Sequence, residues 1–385
     1  MTVYHSSVST LHITNGSSAG DTLQTFVDGQ VVLTHDVLHE GPAPHVDGDA
    51  WHATRARFLA DTYDPNLEAI RADLARVDRT IADQARSASL SGDRDAIVLW
   101  FEHDLFDQLQ LIRNLDLLVR LKADTTYGNA PDTTSVASGF SRTVSLICID
   151  RFPGVERFIG LGQLTADQLA SLYPSRKPVT AGQYAIASEA WDAFRSPDPM
   201  ALVALTLRLK PPFESLRAAL SSVEGPDTTI DAATVVDGAP NGLPFLRDAV
   251  LRLLAEYPST TNGLSRTEQL ALRALSEAPM TGGALFAATQ RHEPRPFMGD
   301  STFYDIVRGM ATARVPLVEL QQPANGQRDL REALLAITQA GRDVAAGRRD
   351  HVALNGIDRW KGGVHLVGDD RSPWRWDESR ETLVS

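Results

Sequence analysis

The chain has 385 residues, 43% hydrophobic and 22% charged, with one cysteine and a formal net charge of −12. That length exceeds one typical core and suits two folding units, and no run approaches the roughly 20 continuous apolar residues of a membrane span, so neither a disordered nor a membrane-embedded chain is expected. Residues 241–385 hold 18 basic and 18 acidic side chains, leaving 19 basic and 31 acidic in 1–240, which argues against general attraction of the first part to nucleic acid or anionic lipid.

No Lys or Arg precedes Arg55, so the basic region of a secretory leader and the Arg-rich face of an organelle presequence are both missing, and a cytoplasmic location is expected. Residues 8–14 read as a buried strand, followed by the polar turn Asn15-Gly16-Ser17 and a helix over 21–27. A short β-like run at 30–34 leads into a long loop, 35–49, rich in proline and glycine. Helical spacing then predicts two helices between 50 and 87, broken near Pro65.

Residues 96–101 form the clearest strand. They are apolar throughout, which predicts cover on both faces, as in a parallel sheet. An amphipathic helix is expected over 104–121, a flexible insertion over 124–141, and a further strand over 144–149. Cys148 lies in that apolar strand, away from basic residues, and reads as core. Helices are expected at 166–172, 181–194 and 200–209.

Strands alternating with helices predict an α/β fold, a three-layer Rossmann-like domain with a mostly parallel sheet over 1–225. A linker is expected at 226–242. Over 243–385, helices at 245–257, 265–277, 282–290 and 301–311 precede β-like runs at 315–320 and 333–337, a helix at 339–346 and a hairpin at 360–366. That order predicts a C-terminal winged-helix-like α+β domain.

Open α/β sheets bind ligands beyond the carboxyl ends of their strands. This rule selects Asn15, Gly16 and Ser17 after the first strand, Glu102, His103 and Asp104 after the strand ending at Phe101, and Asp150 and Arg151 after the strand ending at Ile149. Asn15 and Ser17 could cap a helix or, with local N–H groups, hold an anion. His103 could act as general base or metal ligand, with Glu102 and Asp104 orienting it or ligating, while Asp104 could equally cap the next helix. Arg151 could clamp an anion or simply pair with a carboxylate.

His35, Asp36, His39 and Glu40 form a second polar cluster, in which Pro42 and the glycines oppose a helix that would align the histidines. His35, Asp36 and Glu40 are candidate ligand contacts. His5, His12, His45 and His52 are expected at the surface or in caps. The turn 160–164, glycine-rich and just before a helix, could approach the same crevice.

For the C-terminal part, the recognition-like helix carries Asp305 against Arg308, with Arg314 beyond it. Arg342, Arg348 and Arg349 are offset by Asp343 and Asp350, so a basic stripe for phosphates is missing.

Leu11-His-Ile-Thr-Asn-Gly16, Asp36-Val-Leu-His-Glu-Gly-Pro42 and Leu99-Trp-Phe-Glu-His-Asp-Leu-Phe-Asp-Gln-Leu109 resemble a bacterial family catalogued as domain of unknown function number 1835, over roughly the first 170 residues. Ser265-Arg-Thr-Glu-Gln269, Leu354-Asn-Gly-Ile-Asp-Arg-Trp360 and Gly362-Gly-Val-His365 resemble the C-terminal region that often accompanies it. The resemblance implies a bacterial protein. Where family members carry Asp in the first turn, this chain has Ser17.

The expectation is an enzyme or ligand-processing protein, in the hydrolase or phosphoryl-transfer class, acting on a small phosphorylated or nucleotide-like anion. A divalent metal is compatible with its carboxylates and imidazole. The alternatives are a ligand-sensing regulator that binds DNA through the C-terminal domain and a structural adaptor. Substrate, metal and oligomeric state are left open by the sequence.

Overall fold

The structure, a computed structural model, describes residues 9–91, 96–126, 143–210, 242–321, 330–368 and 374–385. Residues 127–141 of the expected insertion and 226–241 of the expected linker lie outside them, as does His5. The chain divides into two compact units, one of Met1–Leu38, His45–Phe194 and Ala204–Ala249, the other of His39–Pro44, Arg195–Val203 and Val250–Ser385. The loop segment carrying His39 and Glu40 therefore belongs with the C-terminal unit. Among the described residues, no helix is long and apolar enough to cross a membrane.

Along the chain, β1 (Thr10–Thr14), α1 (Ser17–Gln24), β2 (Gly29–Leu33) and the short β3 (Gly41–Pro42) come first. They are followed by α2 (Gly48–Thr62), α3 (Leu67–Ser91), β4 (Ile97–Glu102), α4 (Leu105–Thr126), β5 (Val144–Ile149), α5 (Ala166–Leu172), β6 (Lys177–Pro178), α6 (Ala181–Arg195) and α7 (Met200–Arg208). In the first unit the sheet order is β2-β1-β4-β5-β6. Its first four strands are parallel and β6 is antiparallel.

Every residue of β4 and β5 is buried, the result expected of parallel strands covered on both sides. Val98, Trp100, Ile147 and Ile149 pack with Ala19 and Leu23 of α1 and with Leu169 and Leu172 of α5. Side chains alternate along a strand, so Cys148 points to the opposite face, where Gln108 of α4 donates to its Sγ at 3.4 Å. Burial pushes that thiol's pKa up, in keeping with a core role. The unit is thus a mixed α/β fold with a mostly parallel five-stranded sheet flanked by helices, consistent with a Rossmann-like core.

Two local expectations need correction. The first helix begins at Ser17, one turn before the expected Asp21, because Ala19, Gly20 and Leu23 form its buried face. At Gly20 a Cβ would meet the end of the Leu33 side chain, which would have to shift.

His12 and His52 are buried rather than at the surface. His12 lies on a sheet face covered by packed side chains, with its ring 6.1 Å from Trp100 and 6.0 Å from Tyr173, and accepts a hydrogen bond from Trp100 Nε1 at 3.1 Å. Burial lowers its pKa to about 4. His52 instead pairs with Asp78 at 2.8 Å.

The second unit contains α8 (Leu246–Leu254) in part, then α9 (Arg266–Glu277), β7 (Met280–Thr281), α10 (Gly282–Arg291), α11 (Asp300–Thr312), β8 (Val318–Gln321) and β9 (Leu334–Ile337). There follow α12 (Gln339–Ala345), α13 (His351–Asn355), β10 (Ile357–Gly362), β11 (Val364–Gly368), β12 (Arg375–Asp377) and β13 (Thr382–Val384). Ser265 and Glu268 form a reciprocal capping box that starts α9, satisfying two otherwise orphaned N–H groups. β9 lies between β7 and β8 in an antiparallel sheet. The expected hairpin is present as β10–β11, but it takes β3 as its third strand instead of joining β8 and β9.

Ion pairs sit inside this unit. Arg252 pairs with Glu256 at 2.6 Å and with Glu293 at 2.9 Å, and Glu256 also accepts from Thr267 N and Oγ1. Burial alone would raise the Glu256 pKa, yet Arg252 beside it holds it down, to about 2. A depressed carboxylate contributes stability above its unfolded value that is lost as pH falls through the folded one. Acid titration followed by circular dichroism should therefore show the second unit losing stability between about pH 4.5 and 2. An unchanged melting temperature across that window would contradict the pairing.

Candidate functional site

Four parallel strands end on one edge of the sheet, so the residues after them are brought together by topology. The chain leaves β1 for β2 on one side, and the next parallel strand, β4, adds on the other. Such a reversal opens a crevice between the two strand ends and is where doubly wound sheets bind ligands. The expected residues Asn15 and Glu102-His103-Asp104 follow these two strands.

Asn15 Nδ2 donates to Asp107 Oδ2 at 2.6 Å, which ties the end of β1 to the first turn of α4. Asp107 Oδ1 accepts from Glu102 N at 2.9 Å, and Asp104 Oδ1 accepts from Asp107 N at 2.9 Å. Asp104 thus caps α4 in the manner of an N-cap aspartate. Glu102 Oε1 accepts from Leu161 N at 2.5 Å, on the 3-10 turn Leu161–Gln163. Gly160 lies so close to the Glu102 carboxylate that a Cβ would overlap it. The same turn meets α1, where Ser18 Oγ donates to the Gly162 carbonyl at 3.1 Å.

Glu102, Asp104 and Asp107 are all buried, and each offers an oxygen within 4.8 Å of the others. Burial, reinforced by Asp107 and Asp104, pushes the Glu102 pKa well above the usual carboxylate range. Burial also raises Asp107, to about 6, against the hydrogen bonds from Asn15 and Glu102 N. His103 is 4% exposed. Its ring lies 6.0 Å from Phe158 and 6.0 Å, edge-on, from Phe245.

The other expected residues are placed differently. Gly16 is the N-cap of α1 at φ 73°, and no side chain caps that helix, so neither Asn15 nor Ser17 has the expected capping role. Ser17 is exposed. After β2, His35 is exposed, 3.9 Å from Asp73. Asp36 is buried in a bidentate pair with Arg55. Glu40 pairs with Lys361 at 2.6 Å in the second unit. Asp150 and Arg151 pair with each other at 2.9 Å, with the arginine side chain 66% exposed.

Asp107 is the site residue that the sequence reading missed. Its signal is the Asp104-x-x-Asp107 spacing at the start of α4, which turns both carboxylates toward the strand end. Three convergent carboxylates supply the oxygen donors that hard divalent cations take, and His103, next to two of them in the chain, is an imidazole of the kind that can carry a proton. No protein-family model and no curated protein matches the chain.

Proposed function

We propose that the first unit is an enzyme of the hydrolase or phosphoryl-transfer class that acts on a small phosphorylated or nucleotide-like anion at the β1–β4 crevice. The observation that carries this reading is the convergence of Asn15, Glu102, Asp104 and Asp107 at the reversal point of a parallel sheet, with the buried His103 between Glu102 and Asp104 in the chain. Core packing does not call for five polar side chains at one strand junction.

Glu102, Asp104 and Asp107 would hold a divalent cation, which would offset their charge and that of the substrate phosphate. His103 would move a proton, and the backbone at Gly16 and Ser17 would face the anion. The pair with Asp150 already neutralises Arg151, so a role for Arg151 requires substrate to displace Asp150. Membership of the bacterial family named above and a cytoplasmic setting belong to the same proposal.

The test is a panel of nucleotides and sugar phosphates assayed with Mg2+ or Mn2+. His103→Ala should lower turnover of any substrate found by at least about 100-fold, the usual scale of a positioned acid or base. Full activity of that variant would overturn the assignment of His103.

A second reading concerns the C-terminal unit. The order α9, β7, α10, α11, β8, β9, with β9 central in its sheet, supports a winged-helix-like domain and hence a regulator that binds DNA. The arginines expected to serve DNA are committed elsewhere: Arg308 to Asp305, Arg348 to Asp343, and Arg314 to the Leu354 carbonyl. Electrophoretic mobility shift with duplex DNA at low and at physiological salt decides this reading. Absence of a shift at both removes it.

A further inference from the structure

The second unit carries an open cavity of about 670 Å³ whose wall bears Arg266, Arg273, Arg342 and Arg348 against the single carboxylate of Glu378. In a chain of net charge −12 this is a local excess of cations, and its origin is helical periodicity. Arg266 and Arg273 are two turns apart on α9, with Gln269 between them on the same face. From α12 and the residue after it, Arg342, Ala345 and Ala346 share a face in the same way, and the two alanines leave the space that the arginines surround.

These cations are only partly neutralised. Arg348 pairs with Asp343 at 2.7 Å, and Arg266 lies 3.6 Å from Glu378. The Arg266 Nε is buried and has no hydrogen-bond partner among the described residues. Arg273 and Arg342 make no side-chain hydrogen bond or ion pair among the described residues. The guanidinium forks of Arg273 and Arg342 on this wall, unpaired among the described residues, suit phosphate oxygens.

We propose that this cavity is a binding site for a small phosphorylated ligand of mononucleotide or polyphosphate type, with Arg273 and Arg342 as its principal contacts and Trp376 as an apolar wall. The volume falls in the range of small-molecule sites. A nucleic-acid backbone is the less suitable occupant, because α11, the helix in the recognition position, contributes no residue to the lining. The proposal is independent of the Glu102 crevice.

Isothermal titration of the full chain with inorganic pyrophosphate, AMP and ATP tests it. At least one of the three should bind with a dissociation constant below about 1 mM. The double variant Arg273→Gln/Arg342→Gln should weaken that binding at least about 10-fold, each single variant should lose part of it, and Arg308→Gln should bind as the parent does. Both altered arginines are exposed, so the melting temperature should be unchanged.

Failure of all three probes to bind, or unaltered binding by the double variant, would overturn the site. Loss of binding in Glu102→Gln but not in the double variant would assign the anion to the first unit instead. A DNA duplex that binds through Arg273 and Arg342 where the small phosphates do not would replace the proposed ligand with nucleic acid.

Discussion

Arg55→Ala is expected to destabilise the first unit by about 3–5 kcal/mol, the usual cost of stranding one member of a buried ion pair. Arg55 is wholly buried and Asp36 is 5% exposed. The guanidinium reaches Asp36 Oδ2 from Nε at 2.9 Å and Oδ1 from Nη2 at 2.7 Å, and Nη2 also donates to the Val37 carbonyl at 2.9 Å. From α4, Gln110 donates to the Asp36 carbonyl. One arginine on α2 thus fixes the chain just after β2, on the edge where the candidate site lies.

Truncation leaves the Asp36 carboxylate without water or cation, which is why the loss exceeds what the missing bonds alone would contribute. Arg55→Met combined with Asp36→Leu should recover much of it, because two apolar side chains carry no desolvation cost. Urea denaturation of the three proteins measures this. A loss below about 1 kcal/mol for Arg55→Ala, the scale of a surface pair, would show that the pair is solvated.

The same arginine illustrates what the sequence conceals. Asp36 was legible as a polar residue at a strand end and hence as a candidate ligand contact, but its partner lies 19 positions away on a helix whose pattern marks it only as amphipathic. Glu40 is a longer-range instance, since Lys361 lies 321 positions away. The largely apolar β4 and β5 could be read directly, because burial on both faces leaves a mark along nearly the whole strand.

Strand order leaves no such mark. It is set by pairings between strands distant in sequence, and it is what places the reversal between Asn15 and Glu102. His12 was misread because a polar residue in a short strand looks like an outward position, whereas a sheet with helices packed on it leaves that strand no outward face. Asp107 was passed over because a carboxylate in the first turn of a helix is ordinary there. Only the fold reveals that it bonds to Asn15 and lies beside Glu102.

Between about pH 4 and 6 the first unit is expected to lose stability as pH rises, through Asp107, with Glu102 adding to the loss as it ionises. In the unfolded chain these groups titrate near 4.5 and 3.8, whereas in the fold Asp107 is raised to about 6 and Glu102 well above its ordinary value. Across the interval the native state holds more protons than the unfolded one, so the slope of stability against pH is negative. The contribution is complete below the unfolded values and is lost as pH passes the folded ones. At 1.36 kcal/mol per pKa unit, Asp107 alone accounts for about 3 kcal/mol. Glu102→Gln removes one ionisable group while keeping an oxygen for the Leu161 N–H, so it should flatten the slope. Thermal melts of both proteins from pH 4 to 8 read this directly, and equal slopes would show that the three carboxylates do not repel one another. If a divalent cation is the native occupant, Mg2+ or Mn2+ should restore at pH 8 what ionisation removes, because the cation replaces the shared protons as the source of positive charge. It should do so far less at pH 5, where those protons are still bound, and not at all in Glu102→Gln/Asp107→Asn.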